Sequence, residues 1–426
     1  MKNDLNIFFK KKILIYGLGK SGLSTYNFLK DKSDVYLYDD FKKNIKIKIN
    51  YRFILNNKFD FIIISPGIDI NKCKLSKFLK KNFNKIYTDL DVFYSSYKND
   101  CITVTGTNGK STTCQLLYEI LLANKYDVRL VGNIGNPILS VKKIKSKTIF
   151  VVEASSYQLE YSKIFTSKYA AILNISPDHI ERHKSLKRYA QAKLSLLNNQ
   201  LKKSFGFVKK DDLLINKYLR IRNLNCKIIK VNTKLNKNIF NKIDNKYFLS
   251  EANKENLLFA YKILSKFRIK KNLLFRSIKK FRGLKYRQQI IFKNSKMMII
   301  NDSKSTSFSS SLGVLKTNKK TYWLLGGINK VGDKFNLPKK YYPNIRAFIF
   351  GKNKKFFIKQ LKGKIKFQNF DNLKNAFRKV LNISKKDKST YKIILFSPSA
   401  ASFDSFKNFE DRGLFFNRLV KKYLNV

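Results

Sequence analysis

Histidine occurs twice, tryptophan once and cysteine four times in 426 residues, and each scarcity excludes something. Cys73, Cys101, Cys114 and Cys226 form no C-x-x-C or other ligand spacing, which argues against a disulfide framework or a zinc site and suits buried thiols of a reducing compartment. The two histidines, His179 and His183, sit four apart, but Glu181 does not adjoin the first as H-E-x-x-H requires, so a zinc protease is a poor reading. No apolar run approaches the ~20 residues that cross a bilayer. The Ile13-Leu-Ile-Tyr16 run leads into glycines rather than a cleavage site. A cytoplasmic protein with no membrane partner is expected.

Acidic residues are also few, 28 against 89 Lys and Arg, for a formal net charge of +61. A nucleic-acid footprint gathers on one face or tail with Arg prominent. Here Lys is spread along the chain among Asn, Ile, Phe and Tyr, which suits a compositional bias laid over an ordinary enzyme. No specific nucleic-acid partner is expected, only salt-sensitive polyanion binding. A basic nucleic-acid-binding module stays as a rival that predicts tight binding at physiological salt.

What is present begins with Cys101-Ile-Thr-Val-Thr-Gly106-Thr-Asn-Gly109-Lys110-Ser111-Thr-Thr113. A β-branched run, two glycines and Lys-Ser-Thr precede Leu116, Leu117, Ile120 and Leu121 at helical spacing. That reads as strand, phosphate loop and helix. Glycines let backbone N–H groups close on phosphate oxygens, the helix start adds partial positive charge, Lys110 a full one, and Ser111 can hold Mg²⁺. The loop is shorter than the general G-x-x-x-x-G-K-[ST] pattern, so that pattern alone is a weak signal.

The length suits two or three domains. The first α/β unit, 1–96, runs strand Lys12 to Tyr16, then Gly17-Leu18-Gly19-Lys20-Ser21-Gly22, a helix through Leu29, and strand Val35 to Tyr38 ending at Asp39-Asp40. This G-x-G-x-x-G is a dinucleotide fingerprint with an acidic residue near the usual place, so an NAD-dependent dehydrogenase stays open on this motif. Strand Asp60 to Ile64 breaks at Ser65-Pro66-Gly67.

In the second unit, 97–282, strand Thr148 to Val152 delivers Glu153, where a carboxylate can hold Mg²⁺ on a nucleotide. After strand Tyr169 to Asn174, Ser176-Pro177 is expected to open a helix carrying His179, the better ligand candidate, and His183, expected at the surface. Lys193 shares a stripe with Leu186, Ala190 and Leu197; spacing leaves open whether it is buried or snorkels. No site is placed between 200 and 250. The third unit, 283–426, has apolar runs at Met297 to Ile300, Tyr322 to Leu325, Arg346 to Phe350 and Lys392 to Phe396, each meeting a polar or glycine loop, which predicts a mainly parallel sheet for a small polar ligand. Trp323 is expected in its core.

The chain resembles the Mur ligases, ATP-dependent amide-forming enzymes of peptidoglycan precursor assembly, across essentially its full length. Gly106-Thr-Asn-Gly-Lys-Ser-Thr112 matches the superfamily loop, shared with folylpolyglutamate synthases. Asn301-Asp-Ser-Lys-Ser-Thr306 and Ser397-Pro-Ser-Ala-Ala-Ser-Phe-Asp-Ser-Phe-Lys-Asn-Phe-Glu-Asp-Arg-Gly413 resemble the D-glutamate-adding members, and the D-N-P-[RA] segment of diaminopimelate- or lysine-adding relatives is missing. The resemblance implies an α/β fold of three domains: Rossmann-like and UDP-binding over 1–96, phosphate-loop ATPase-like over 97–282, and Rossmann-like and D-glutamate-binding over 283–426. It implies a monomeric ligase that adds D-glutamate to UDP-N-acetylmuramoyl-L-alanine through an acyl phosphate.

By the same resemblance Gly17 to Gly22 with Asp39 and Asp40 hold the uridine nucleotide, and Asn133, Ser155, Gln158 and His179 meet the muramoyl substrate or its metal. Gly106, Thr107, Asn108, Gly109, Lys110, Ser111, Thr112, Asn253, Asn256, Arg287 and Asp302 contact ATP. Lys304, Thr306, Lys330, Ser402, Phe403 and Phe409 form the D-glutamate pocket. Two Mg²⁺ are held by Ser111, Glu153, His179 and Lys193, the last carbamylated, and Lys110, Glu153, His179 and Lys193 are the catalytic set. Ala252 and Tyr286 stand where the family often has His, and Asn329 replaces a common glycine. A folylpolyglutamate synthase is the other rival.

Overall fold

The computed structural model describes residues 6–42, 49–233, 243, 245–330 and 332–424. Among them three sheets follow one another along the chain. The first contains β1 (Lys12–Tyr16), β2 (Asp34–Tyr38), β3 (Phe61–Ile64) and β4 (Ile86–Tyr87) in the order β2-β1-β3-β4, all parallel. The second contains β5 (Cys101–Thr105), β6 (Val128–Gly132), β7 (Ile149–Glu153), β8 (Tyr169–Ile172), β9 (Phe205–Lys209) and β10 (Lys227–Val231), in the order β10-β9-β8-β5-β7-β6, again all parallel.

The third sheet contains β11 (Gln289–Lys293), β12 (Met297–Asn301), β13 (Lys320–Gly326), β14 (Ile345–Phe350), β15 (Lys366–Asn369) and β16 (Lys392–Phe396), ordered β11-β12-β16-β13-β14-β15. Only β11 runs antiparallel, against β12.

Parallel strands are covered on both faces, so they read as unbroken apolar runs. In β16, Ile393 and Leu395 join one core with Trp323 and Phe357, while Ile394 and Phe396 join another with Phe377 and Phe416. The period of two sorts alternate residues to opposite faces, and helices seal both. Trp323 is fully buried, as its position in a strand predicts, and its ring N–H donates to the Ser397 carbonyl at 2.8 Å.

Because every strand but one points the same way within its sheet, the loops that carry the motifs leave carboxyl ends of strands: Gly17 after β1, Gly106 after β5, Asp302 after β12 and Ser397 after β16. Ligands of open α/β sheets bind there.

The chain divides into two compact units. One comprises Met1–Ile175, Lys187–Leu235 and Leu258–Ser277 and holds the first two sheets; the other comprises Ser176–Leu186, Asn236–Leu257 and Ile278–Val426 and holds the third.

Three expectations are corrected. The helix after β8 starts at Ile180, not at Ser176-Pro177, with His179 as its N-cap at φ +52°. Asp178 accounts for this, since its Oδ1 accepts from the His179 N–H at 3.1 Å and from the Lys330 ammonium, and so fixes a turn. His183 is buried, 2% exposed, because a helix of four residues is too short for apolar periodicity to show its inner face. Cys73 is only half-buried, whereas the other three thiols are buried.

Candidate active site

The phosphate loop is braced from inside. Gly106 and Gly109 take φ of +151° and +88°, and the helix Lys110–Ala123 starts directly after them. A helix start presents N–H groups and partial positive charge, which stabilise an anion. Asn174, just past β8, clamps the loop: its Oδ1 accepts from the Asn108 N–H at 2.9 Å, its amide donates to the Asn108 carbonyl at 3.2 Å, and its carbonyl accepts from the Thr107 N–H at 2.9 Å. The Tyr189 hydroxyl donates to Thr107 Oγ1 at 3.1 Å. Ser111 and Thr112 are buried at the helix start.

Two lysines reach the same oxygen. Lys110 Nζ donates to the carbonyls of Gly106 and Thr107 at 2.8 and 2.9 Å. Lys193 Nζ donates to the Gly106 carbonyl at 2.9 Å and lies 4.7 Å from the centre of the Tyr189 ring. Lys193 is 1% exposed, which settles the choice between burial and snorkelling in favour of burial.

Glu153 ends β7 and is 1% exposed. Its Oε1 accepts from Asn133 Nδ2 at 2.9 Å, and its Oε2 is buried with no protein partner. Gly132, at φ +101°, lets the chain pass this strand end; a Cβ there would meet the Glu153 carbonyl oxygen at 2.4 Å. Ser155 and Gln158 form a capping box on the helix Ser156–Tyr161. Gln158 is buried, and its amide N–H reaches Asp89 at 3.1 Å.

At the loop Gly17 to Gly22, Gly22 packs on the Gly17 carbonyl so closely that a Cβ would lie 1.9 Å from that oxygen. Asp39 is 8% exposed and turned inward: Oδ2 accepts from the Leu18 N–H at 2.7 Å and Oδ1 from the Phe41 and Lys42 N–H groups at 2.9 and 3.0 Å. Burial raises its affinity for a proton, but these three bonds outweigh that and leave its carboxyl below the usual range. Asp39 therefore shapes the loop. Asp40 accepts from the Tyr16 hydroxyl at 2.7 Å, and its Oδ1 is buried without a partner.

The second unit gathers its own cluster. Lys330 donates to Asp178 at 2.6 Å, and these two line a small cavity with His179, Ser307, Gly332 and Asp333. Burial pushes the Asp333 carboxyl up to about 6, eased by the Phe308 N–H that donates to it at 2.8 Å. His179 Nε2 lies 3.5 Å from Asp178 and its Nδ1 3.6 Å from Glu181. Asp302 is 5% exposed, accepts from Ser397 Oγ at 2.8 Å and from the Gln288 N–H at 3.1 Å, and is pushed up to about 7, chiefly by burial.

Arg287 adds an attraction to Asp302. Arg412 is buried and ties loops together, donating to Ser303 Oγ at 3.1 Å and to the carbonyls of Ser303 and Ala400 at 2.8 and 2.9 Å. Lys304 Nζ stands 4.0 Å from the Phe409 ring centre. Ser402 is buried, Thr306 half-buried and Phe403 exposed. Asn253 is buried and donates to the Tyr247 carbonyl at 2.8 Å, and Asn256 leans on Asn253 at 3.5 Å. His179, Tyr286, Gln288 and Ser399 all take positive φ, a conformation that costs free energy and collects at functional loops.

Asn174, Asp89, Asp333 and Arg412 escape sequence reasoning. Asn174 had a signal, a polar side chain directly after an apolar strand, and Arg412 stands in the Ser397–Gly413 run, where no role is assigned to it.

The braced phosphate loop, the two lysines on its first carbonyl and the strand-end glutamate all lie in residues 104–274, which match the model of the Mur ligase middle domain. The fold agrees: the crystal structure of MurF ligase from Thermotoga maritima in complex with ADP superposes with a TM-score of 0.58 at 13% identity over 99% of this chain and 97% of that one. UDP-N-acetylmuramate-alanine ligase MurC from the same organism gives 0.55 at 17% identity over 97% and 99%. The sequence is more specific. It is 35% identical to the UDP-N-acetylmuramoylalanine–D-glutamate ligase of Rickettsia felis over 98% of this chain and 99% of that one, and 34% identical to the enzyme of that name from Francisella tularensis over 96% and 95%. The chain belongs to the family of UDP-N-acetylmuramoylalanine–D-glutamate ligases, enzymes of peptidoglycan precursor synthesis.

Proposed function

We propose that the chain joins D-glutamate to UDP-N-acetylmuramoyl-L-alanine at the expense of ATP, using the residues described above, and that its three sheets mark domains 1–96, 97–282 and 283–426. The observation that carries this reading is the braced phosphate loop itself: Lys110 sits on the Gly106 and Thr107 carbonyls at the start of the helix Lys110–Ala123, and the buried Lys193 reaches the same Gly106 carbonyl. A cation held with the nucleotide fits the same unit. Glu153 Oε2 is a buried carboxylate oxygen without a protein partner, and Ser111 offers a hydroxyl at the helix start. Among the described residues no three His, Cys, Asp or Glu side chains gather into a cage. One carboxylate plus substrate phosphates is how Mg²⁺ is usually held. In this reading Glu153, Ser111, His179 and carbamylated Lys193 hold two Mg²⁺. When bound, these ions neutralise charge on the phosphoryl oxygens.

The chain's own part follows. Asn133 orients Glu153. The loop N–H groups and Lys110 hold the β- and γ-phosphates of ATP while a carboxylate oxygen of the alanyl end attacks the γ-phosphorus. The bridging oxygen departs with ADP and an acyl phosphate forms. Lys330, Thr306, Lys304 and Ser402, with Phe403 and Phe409, hold D-glutamate so that its deprotonated amine attacks the acyl carbon; inorganic phosphate leaves with the electron pair of the acyl C–O bond. Asn253, Asn256, Arg287 and Asp302 serve the nucleotide, and Gly17 to Gly22 with Asp40 serve the uridine diphosphate. In this reading the protein works in the cytoplasm as a monomer. Among the described residues no helix is long and apolar enough to cross a membrane.

Borohydride added to enzyme, Mg²⁺, ATP and UDP-N-acetylmuramoyl-L-alanine, with D-glutamate omitted, reduces an acyl phosphate to the alaninol. Alaninol from the wild type and none from Lys110→Ala is the expected result; no alaninol from an active wild type contradicts the intermediate.

A further inference from the structure

Asp89 opens the helix Asp89–Ser96 and is 3% exposed. It joins groups from two sheets. Its Oδ2 accepts from Ser21 Oγ at 2.5 Å, and Ser21 lies in the first turn of the helix Lys20–Leu29, within the Gly17-to-Gly22 motif after β1. Its Oδ1 accepts from Gln158 Nε2 at 3.1 Å. Gln158 in turn accepts through Oε1 from the N–H of Ser155 at 3.1 Å, and Ser155 stands two residues past Glu153. One chain of hydrogen bonds thus runs from the first sheet's glycine loop to the tip of β7.

The helix itself is latched separately. Asp91 Oδ1 accepts from Ser162 Oγ at 3.0 Å and from the N–H groups of Lys163, Ile164 and Phe165 at 2.9, 2.9 and 3.1 Å. Asp91 Oδ2 also accepts from the Thr88 N–H at 2.9 Å. Losing Asp89 would therefore leave the helix attached. Burial holds the Asp89 carboxyl above the usual carboxylate range, while its bonds to Ser21 and Gln158 pull the other way. A polar group buried at that cost needs its partners, and its side-chain partners stand in the first turns of two helices, Lys20–Leu29 after β1 and Ser156–Tyr161 after β7.

We propose that Asp89 is a positioning residue for the UDP-linked substrate, fixing the glycine loop of the first sheet in register with the Glu153–Ser155 strand end of the second. One ligand spans both beds, its diphosphate on the glycine loop and its muramoyl end near β7, so the register matters to that ligand and not to its fragments. This rests on the assignment of Gly17 to Gly22 to the uridine diphosphate.

The test compares wild type, Asp89→Ala and Asp89→Asn in three readings: KM for UDP-N-acetylmuramoyl-L-alanine, KM for ATP, and Kd for UDP alone. Asp89→Ala should raise the first by about tenfold or more, leave the second within about twofold and the third within about threefold. Asp89→Asn, which can accept from Gln158 and donate to Ser21, should recover the first to within about threefold. Should Asp89→Ala not fold, Asp89→Ser, which keeps a polar side chain at the helix start but is too short to bridge Ser21 and Gln158, should show the same split at about three- to tenfold. An unchanged KM for the UDP-linked substrate, a parallel rise in the KM for ATP, or UDP weakened as much as the whole substrate each overturns the proposal. A wild type without ADP release on this substrate would instead defeat the reading of the reaction, which separates the two failures.

Discussion

Lys110 and Lys193 donate to one acceptor, the Gly106 carbonyl oxygen, at 2.8 and 2.9 Å, from the two ends of an 84-residue stretch that the second sheet folds together. Lys193 is buried, so an anion formed on its side chain would lie beside the Lys110 ammonium with little water to screen the attraction. In the proposed reading that anion is a carbamate.

Lys193→Ala should therefore lower kcat by on the order of 10²-fold or more, with acetate or formate restoring part of it, as expected when an anion and not a side chain is missing. ADP release measured with and without added carboxylate decides. A fully active variant would contradict the carbamate.

Lys330 and Asp178 form an ion pair at 2.6 Å with side chains 22% and 12% exposed. Partly buried pairs are poor sources of net stability, but removing one partner strands the other. Asp178→Asn should raise the KM for D-glutamate by about tenfold through a misplaced Lys330 while the KM for ATP changes less than about twofold. Steady-state kinetics with each substrate varied would show it; equal shifts for both substrates would contradict the placement of Lys330 at D-glutamate.

The Asp302 carboxyl is pushed up to about 7, mainly by burial. Between the ordinary carboxylate range and that value the folded protein keeps a proton that the unfolded chain releases, so the contribution is present at low pH and is lost as pH rises towards 7. The loss is roughly 4 kcal/mol at most. Asp302→Asn should flatten the fall in stability between about pH 4 and 7, measured by urea unfolding without ligand. Asp333, pushed up to about 6, contributes a slope common to both proteins and cancels. Parallel curves for the two proteins would contradict a buried, protonated Asp302.

Gly132 faces the Glu153 carbonyl at φ +101° with no room for a Cβ. Gly132→Ala adds backbone strain of about 1–3 kcal/mol and a steric clash, so the tip of β7 must move. The thermal midpoint should fall by several degrees and the Mg²⁺ concentration for half-maximal activity should rise by about tenfold. An unchanged Mg²⁺ requirement would separate Glu153 from the metal.

The parts of this molecule most readable from sequence are those governed by local rules. Apolar runs such as Lys12–Tyr16 and Lys392–Phe396 end where the strands end, and the glycines at 106 and 109 sit where positive φ is needed. The turn at Asp178 was not readable, because Ser176-Pro177 satisfies a helix-start rule that the contact with Lys330 overrides. Lys193 shows the same limit: its stripe is visible, but burial depends on the Gly106 carbonyl, which only the fold brings near. Asp89, Asp333 and Arg412 act through partners distant in sequence, and no spacing announces such residues. Asp39 is the reverse case, a residue at a familiar motif position whose oxygens are taken up by its own loop.

The most direct test is ADP release by the purified protein with UDP-N-acetylmuramoyl-L-alanine and Mg²⁺, comparing D-glutamate with L-glutamate and with folate plus L-glutamate. The account predicts release that requires the UDP-linked substrate and D-glutamate and is abolished in Lys110→Ala. Equal release with L-glutamate, or release with folate in place of the UDP-linked substrate, would contradict it.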